Sequence, residues 1–239
     1  MKILAIDTST RVLSVAVLDE KGPKVEFNYD SGFKHASHLI PTIKKALRRA
    51  ELELTNLDAY CLSIGPGSFT GLRIGVSTVK ALALGVRKKV IAVPSLDVLA
   101  RNISCAEDTI CVVVDAKKEK VYACFYRYTD QRPKTKDRRP KRVSPYLLIA
   151  YEELLKRLDK VKGGILLVGD GIEKLSAISS QLSAKKKKIK FADEKFWYPK
   201  AINVARIGLE MLKNGKVVKD VDRLVPVYMH PMDVQVRKS

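Results

Sequence analysis

The sequence predicts an α/β protein of two lobes, each a mixed sheet flanked by helices, because one pattern of strands and helices occurs twice along the chain. The first occurrence has the order βββαβαβα. In both, the opening strand ends in an aspartate, Asp7 or Asp115, which a polar turn and a second strand follow. We treat this as an internal repeat and predict lobes of residues 1–103 and 104–239.

Local signals justify each element of the first lobe. Three short segments rich in Val, Ile and Leu, separated by polar turns, indicate an antiparallel meander. Apolar residues three and four apart then indicate helices, and short apolar runs between them indicate buried strands. In chain order these are strands 2–7, 12–18 and 24–29, helix 37–50, strand 57–64, helix 70–84, strand 89–93 and a helix from 95 to about 102.

The second lobe shows the same signals with two interruptions. Its predicted elements are strands 109–114 and 120–128, helix 152–158, strand 165–168 and helix 202–213. The first interruption, 132–142, holds seven basic residues and two prolines, and the second is the lysine run Lys185–Lys188. Both stretches are predicted to be exposed loops, because repelling like charges disfavour a packed core.

Composition excludes several classes of protein. A chain of 239 residues with 46% hydrophobic and 30% charged residues, mixed along its length, can bury a core, so we exclude a disulfide miniprotein and a mainly disordered chain. No apolar run reaches the roughly 20 residues that span a bilayer. The opening Met1–Asp7 lacks the features of a signal peptide. We therefore predict a cytoplasmic protein without a membrane partner.

The net charge of +19 allows two interpretations. Lys and Arg number 45 against 26 Asp and Glu, and the resulting field favours polyanions, nucleic acid first. The surface of a thermophile or of a Lys-rich proteome would give the same balance. A nucleic-acid binding module is therefore one hypothesis, although no aromatic-interleaved or groove-reading motif supports it.

No cluster of residues predicts a metal centre. The cysteines form no C-x-x-C pair, and we interpret them as reduced residues, mostly in the core. His35 and His38 are three apart and could share a metal on a helix, but no third ligand is near. A capping or surface role is the alternative for them. The four cysteines are Cys61, Cys105, Cys111 and Cys124.

Two turns could hold an anion. Asp7-Thr8-Ser9-Thr10 offers a carboxylate, hydroxyls and backbone N–H groups to a phosphate or to its magnesium water shell, although such residues also simply make good turns. Gly65-Pro66-Gly67-Ser68 leads from a strand into a helix, where N–H groups attract anions. The candidate nucleotide or anion site comprises Asp7, Thr8, Ser9, Gly65, Gly67, Ser68 and Asp115.

The glycine-rich turn is neither standard nucleotide loop. It lacks the Gly-Lys-Ser/Thr of a P-loop and the third glycine of a Rossmann loop. A structural interpretation competes with anion binding, because Gly71 and Gly75 lie on one helix face and would let another helix approach closely. Both interpretations stay open at this point.

Five segments together resemble the bacterial TsaB (YeaZ) family in order and spacing: LAIDTST, GPGSFTGLRIG, VPSLDVLA, DAKKEKVYACFY and LVPVYMHP. The resemblance spans both lobes and implies an actin-like fold of the sugar-kinase and Hsp70 type. It also implies a role in making threonylcarbamoyladenosine beside the anticodon of tRNAs that read ANN codons. In that family the protein is a partner and activator of its catalytic paralogue TsaD, and the ATPase TsaE joins the complex.

The resemblance also implies what this subunit lacks. Where the catalytic paralogue carries metal-binding histidines, this chain has Val93–Leu99 without histidine, and Gly169–Glu173 resembles a reduced adenosine-binding turn. We expect no catalytic residue, metal or cofactor in this subunit alone, with ATP and a metal in the partner subunits. The alternative is an independent actin-like ATPase or kinase that uses Asp7 and Asp115.

The family further implies a partner surface on helices 37–50 and 70–84, which would pack against TsaD as a helical bundle or, without TsaD, against a second copy as a homodimer. Gly71 and Gly75 carry no side chain, and the space that they leave on the helix surface supports this placement. The basic stretch supplies candidate contacts to tRNA in the complex. The predicted interface is Leu39, Ile43, Leu47, Gly71, Arg73, Gly75 and Val79, and the predicted tRNA contacts are Arg138, Arg139, Lys141 and Arg142.

Overall fold

A computed structural model describes residues 1–32, 34–128, 139–178 and 188–229. Its first half forms one five-stranded sheet and three α-helices. The elements are β1 (Ile3–Asp7), β2 (Val12–Asp19), β3 (Gly22–Asp30), α1 (His35–Arg49), β4 (Ala59–Ser63), α2 (Phe69–Val86), β5 (Lys89–Val93) and α3 (Ser95–Ala100), with a 3-10 turn at Leu54–Asn56.

The first sheet is mixed and has the strand order β3-β2-β1-β4-β5. The meander β1-β2-β3 is antiparallel, whereas β4 pairs parallel with both β1 and β5. Every residue of β1 and β4 is buried, since both faces of the sheet are covered. Helices α1 and α2 cover one face.

The second half forms another mixed sheet, of order β11-β10-β6-β7-β8, with β9 also paired to β7. Strands β6 and β7 are an antiparallel hairpin, and β10 runs parallel to β6 and β11. The elements are β6 (Thr109–Asp115), β7 (Lys120–Tyr128), β8 (Pro140–Arg142), β9 (Leu147–Ala150), α4 (Tyr151–Lys160), β10 (Ile165–Val168), α5 (Ile172–Ile178), β11 (Ile189–Phe191) and α6 (Ala201–Lys213), with a 3-10 turn at Glu194–Phe196.

The last helix, α6, returns to the first sheet. Ala201, Val204 and Ala205 are fully buried together with residues of β1, β4 and β5, and the Ala201 amide donates to the Ser14 hydroxyl at 2.7 Å. At Gly208 a Cβ would lie 2.2 Å from the Cys61 sulfur, so the helix approaches β4 closely. Part of the predicted segment 104–239 thus completes the core of the first lobe, while the boundary near 103 stays a prediction.

The predicted fold of two mixed sheets with flanking helices is confirmed, and local boundaries differ. Helix α1 begins at His35, two residues before the predicted start, with no side-chain cap. Part of the predicted loop 132–142 is strand: β8 pairs with β7. Strands β9 and β11 and helix α5 were not predicted, because each is short, with four, three and seven residues respectively.

Among the described helices, α2 is long and apolar enough to cross a membrane, judged by length and composition only. A third of it is buried in the structure. One such helix is weak evidence, since helices of water-soluble cores pass the same test. Its inner side packs on the first sheet through Leu72, Val76 and Val79. The predicted absence of a membrane partner stays a prediction.

Candidate functional site

The turn that follows β1 is buried at the centre of the molecule. Residues Asp7 to Thr10 are all at most 5% exposed. The Asp7 Oδ1 accepts hydrogen bonds from the Ser9 amide at 2.9 Å and from the Ser9 hydroxyl at 2.8 Å. Its other oxygen, Oδ2, has no hydrogen-bond partner among the residues that the structure describes. Burial raises the pKa of Asp7 above its usual value, and interactions with Ser63, Ser9 and His35 only partly offset the rise.

The glycine-rich loop closes over this turn. The Ser68 amide donates to the Ser9 carbonyl at 2.7 Å, and a Cβ at Gly67 would lie 2.3 Å from the same oxygen. A side chain at Gly67 would therefore separate the loop from the turn. Gly65 has a φ of +106° beneath them, a conformation that favours glycine. The loop thus uses its glycines to pack against this chain.

Gly71 and Gly75 serve the same contact one and two turns along α2. A Cβ at Gly71 would lie 2.1 Å from the Thr8 carbonyl oxygen, and a Cβ at Gly75 would lie 2.4 Å from the Thr8 hydroxyl oxygen. Both residues are buried within the chain. The prediction that their small size accommodates a partner helix is wrong, because the turn after β1 already occupies that space.

His35 ties α1 to the same turn. The imidazole is fully buried, its Nε2 lies 2.7 Å from the Thr10 carbonyl oxygen and its Nδ1 lies 2.9 Å from the Ser31 hydroxyl. Since a carbonyl oxygen can only accept, Nε2 carries the proton. Burial lowers the pKa of His35. The expected capping or surface role is wrong for this residue, which is an internal bridge.

The second lobe contributes paired charges to the opposite wall. The Asp115 carboxylate accepts from Lys117 Nζ at 2.9 Å and from Lys174 Nζ at 3.3 Å. Burial alone would raise the pKa of Asp115, but hydrogen bonds with Lys117 and the charges of both lysines outweigh it, so the pKa is lowered. Asp170 accepts from the Asp115 amide at 3.1 Å. Its burial raises the pKa of Asp170 to about 6.

A cleft of about 260 Å³ lies between these two walls. Of the predicted anion-site residues it is lined by Ser9, Gly67, Ser68 and Asp115, whereas Asp7, Thr8 and Gly65 are not among its lining residues. The volume falls below the roughly 300–1,000 Å³ usual for small-molecule sites. With Asp115 neutralised by two lysines and Asp7 fully buried, these residues do not fit a magnesium nucleotide.

The described part of the chain holds no group of three or more His, Cys, Asp or Glu side chains placed to share a metal ion. In α3, where the catalytic paralogue was expected to differ, Asp97 accepts a hydrogen bond from the Tyr126 hydroxyl at 2.7 Å. Among the cysteines, Cys61, Cys111 and Cys124 are buried and Cys105 is exposed, and within the described residues none of the four forms a disulfide. His230 lies outside the described residues.

The predicted partner residues are mostly internal. Leu39, Ile43, Leu47 and Val79 are at most 8% exposed and belong to the core between the helices and the sheet, so the assignment of these four to a partner surface is wrong. Arg73 is exposed and lies over the Phe69 ring, 4.0 Å from its centroid.

The outward-facing stripe of α2 was not predicted from the sequence. Residues three and four apart on the side opposite the buried one form a continuous face without a charged side chain. The signal was the low charge of α2, in which Arg73 and Lys80 are the only charged residues, so the helix is more apolar than one buried face needs. The stripe consists of Thr70, Ile74, Ser77, Ala81, Leu84 and Gly85. Leu84 on this stripe is 50% exposed, and Ile40 on α1 is 41% exposed.

Two of the predicted tRNA-contact residues, Arg139 and Arg142, have side-chain partners within the chain. Arg139 forms an ion pair with Glu210 at 2.6 Å, and Glu210 also binds Arg101. The Arg142 guanidinium lies 4.4 Å from the centroid of the Tyr146 ring. Lys141 is exposed on β8. Arg138 and Lys185–Lys187 lie outside the described residues.

Comparison with known proteins gave consistent matches. A sequence profile described as "TsaD: tRNA N6-adenosine threonylcarbamoyltransferase" matches residues 31–231. The tRNA threonylcarbamoyladenosine biosynthesis protein TsaB of Buchnera aphidicola subsp. Schizaphis graminum is 31% identical over 206 residues, covering 84% of this chain and 90% of the relative. The Escherichia coli protein of the same name is 26% identical over 231 residues, covering 96% and 94%.

Solved structures agree on the fold. A crystal structure from Pseudomonas aeruginosa, of an uncharacterized protein with similarity to peptidase YEAZ, matches with a TM-score of 0.78 at 23% identity and covers 96% of this chain and 99% of that one. The activator of a 2-hydroxyisocaproyl-CoA dehydratase from Clostridium difficile matches with a TM-score of 0.52 at 9% identity, covering 95% and 100%. The predicted actin-like class is thereby confirmed.

Proposed function

Because this chain belongs to the TsaB (YeaZ) family, we propose that it acts in the biosynthesis of threonylcarbamoyladenosine in tRNAs that read ANN codons. Its role is that of a non-catalytic subunit which binds and activates the catalytic paralogue TsaD. The observation that carries this role is the uncharged outward stripe of α2. In a chain with 30% charged residues, such a stripe supports a surface that another protein covers.

The stripe is suited to helix packing. Ser77 and Ala81 are small and four apart, so the backbone of a second helix can approach closely there. Leu84 and Ile74 at their sides can fill the gaps of the opposing helix, and exposed Ile40 on α1 widens the apolar area. A partner that presents two antiparallel helices would form a four-helix contact with α1 and α2. TsaD, as a paralogue with the same fold, is that partner.

A second copy of this chain can use the same stripe. Such a contact would be isologous, with each α2 packing against the other around a twofold axis. We therefore propose a homodimer when the protein is alone, which TsaD displaces when it binds. The ATPase TsaE joins the pair to give a ternary complex, and tRNA reaches this subunit through that complex.

The proposed subunit takes no nucleotide or metal of its own. The small cleft, with Asp115 paired to Lys117 and Lys174, supports this proposal against the independent ATPase or kinase that would use Asp7 and Asp115. ATP and the metal then belong to TsaE and TsaD. Titration of the isolated protein with millimolar magnesium ATP in a calorimeter should give no binding heat. Saturable heat that depends on Asp115 would favour the independent enzyme.

The partner role is tested by placing a charge on the stripe. Leu84→Glu should weaken binding to TsaD at least tenfold and should turn the free protein into a monomer, because the carboxylate would be desolvated at the helix contact. Val143→Glu is the matched control, since Val143 is 51% exposed and Leu84 is 50% exposed. Binding is measured by calorimetry, mass by sedimentation and modification by nucleoside analysis of tRNA.

The two variants separate the outcomes clearly. If Leu84→Glu binds TsaD and supports modification as Val143→Glu does, the stripe is an ordinary exposed surface and the proposed interface is wrong. If wild-type protein leaves the rate of tRNA modification by TsaD and TsaE unchanged, the activating role itself is wrong. Circular dichroism confirms that both variants remain folded.

A further inference from the structure

A second surface lies on the other flank of α1, where exposed cations meet aromatic rings. The Lys45 ammonium lies over the Phe27 ring, 4.8 Å from its centroid. Tyr29 and His38 hold their rings 4.7 Å apart at 50°, and Tyr29 is 48% exposed. Phe27 and Tyr29 are alternate residues of β3, so their side chains share one face. Strand β3 is the edge of the first sheet, which leaves this side open.

The end of α1 concentrates positive charge beside these rings. Lys44, Lys45, Arg48 and Arg49 are all exposed, and among the described residues none of them forms an ion pair with a carboxylate. Phe27, Lys45, Arg48 and Arg49 line an open groove of about 490 Å³. The cations are therefore available to an external anion.

Neighbouring carboxylates on β3 are engaged elsewhere. Glu26 accepts from the Ile202 amide on the opposite face of the sheet. Asp30 is paired with Arg11. Glu51, which follows α1, is the carboxylate nearest to the cations along the chain. The groove is thus positive on balance. The Phe27 ring lines it, and Tyr29 lies two residues further along the same face of β3.

We infer that this surface, formed by Phe27, Tyr29, His38, Lys45, Arg48 and Arg49, binds the sugar-phosphate backbone of RNA, with an unpaired base stacked on Tyr29. Cations neutralise phosphates without regard to sequence, and an exposed ring next to them accepts a base face. An acidic protein segment would use the cations but gain nothing comparable from the ring. The choice of tRNA as the RNA rests on the proposed function.

The RNA surface and the proposed partner stripe do not compete for α1. Ile40 and Lys45 lie about 140° apart around the helix, at 100° per residue. Contacts with Phe27 and Tyr29 place Lys45 and His38 on the β3 side. Occupation of the α2 stripe by a protein therefore leaves the groove beside β3 open to RNA.

The test measures affinity of the full chain for an unmodified tRNA transcript over a range of salt concentrations. Replacing Lys45, Arg48 and Arg49 by Ser should weaken binding at least tenfold at low salt and reduce the slope of log Kd against log salt by about 2. The matched control replaces Lys156, Lys160 and Lys162 by Ser, which removes the same charge from the exposed side of α4 and from its end. The control should weaken binding less than threefold.

Two further measurements identify the ligand class. Tyr29→Ala should weaken tRNA binding severalfold with the salt slope unchanged, because stacking releases no counterions. Polyaspartate should compete poorly at equal charge. Equal losses in the two triple variants, or polyaspartate competing as well as tRNA, would overturn the inference. Loss of TsaD binding in the variant that lacks Lys45, Arg48 and Arg49 would also overturn the inference, because the surface would then serve protein binding. Failure of the wild-type protein to bind TsaD would count against the proposed function alone.

Discussion

The hydroxyl oxygen of Thr8 lies 2.4 Å from the point where a Cβ of Gly75 would stand. Helix α2 therefore rests directly on the turn that follows β1. One helical turn earlier, a Cβ at Gly71 would come within 2.1 Å of the Thr8 carbonyl oxygen. Such distances are shorter than carbon–oxygen contacts allow, so both positions require glycine and the turn is locked beneath α2.

Gly71→Ala should destabilise the protein by about 1–3 kcal/mol, because backbone cannot yield to the new methyl group as a flexible side chain could. Gly85→Ala is the control in the same helix, since a Cβ there meets nothing within 4 Å. That change should stabilise by about 0.5–1 kcal/mol through helix propensity. Urea midpoints with unchanged slopes provide the comparison. Equal effects of the two substitutions would contradict the locked turn.

Gly75→Ala tests the same contact through a side chain. The obstacle is the Thr8 hydroxyl, so Thr8→Ala should relieve most of the destabilisation that Gly75→Ala causes. A double-mutant cycle should give a coupling of about 1 kcal/mol or more. Thr8→Ala with Gly85→Ala serves as the uncoupled pair. Additive effects of Gly75→Ala and Thr8→Ala would show that the two residues do not press on each other.

His35 should make stability depend on pH. Burial lowers the pKa of His35 below the 6.5 of a free histidine. The unfolded chain therefore binds a proton first, so this contribution to stability is complete above pH 6.5 and is lost as the pH falls. His35→Leu should remove that dependence and cost about 1–3 kcal/mol at neutral pH by orphaning the Thr10 carbonyl and the Ser31 hydroxyl. His38→Leu, at a half-buried position, should retain the pH dependence, as thermal unfolding from pH 5 to 8 will reveal.

Asp170 should make stability depend on pH in the direction opposite to that of His35. Its pKa is raised from 3.8 to about 6, so the folded state keeps the proton longer than the unfolded state does. Its contribution to stability is present below pH 4 and is lost as the pH rises through 6. Asp170→Asn keeps the acceptor for the Asp115 amide and should stabilise by up to about 3 kcal/mol above pH 7. The gain should vanish below pH 4.

Asp115→Asn is the control with opposite sign. The pKa of Asp115 is lowered through Lys117 and Lys174, so the charged form stabilises the fold. Its replacement should destabilise at neutral pH and matter less in acid. Denaturant titrations at pH 4 and pH 7.5 distinguish the two aspartates. A pH-independent difference between Asp170→Asn and wild type would mean that Asp170 ionises normally in the fold.

Strong local patterns made most of the fold predictable. Strands β4 and β10 are apolar runs that end near a glycine, and α2 and α6 have helical spacing, so sequence defined them to within a few residues. Strands β8 and β11 have three residues each. Their existence depends on pairing with β7 and β10, which no local pattern encodes.

The site was predicted less well because it depends on long-range packing. The residue types identified the Asp7 turn and the glycine-rich loop as candidate site segments, but the sequence could not show that Gly71 and Gly75 face Thr8 and not a partner. Likewise the sequence could not show that Arg139 forms an ion pair with Glu210 of α6. The spacing of α1 predicted its buried side, whereas the RNA surface needed β3 beside it.

Separating the lobes near residue 103 should unfold the first one, because α6 covers a whole face of its sheet. Val204 and Ala205 are fully buried against residues such as Ile3 and Ile91, and Glu26 and Ser14 bind the first amides of α6. A fragment of residues 1–103 should therefore aggregate or show no cooperative urea transition. The same fragment joined through a flexible linker to residues 199–229 should regain a cooperative transition, since the linked helix restores the missing face. A fragment 1–103 that is monomeric and unfolds cooperatively would show that α6 is an accessory to this core and not part of it.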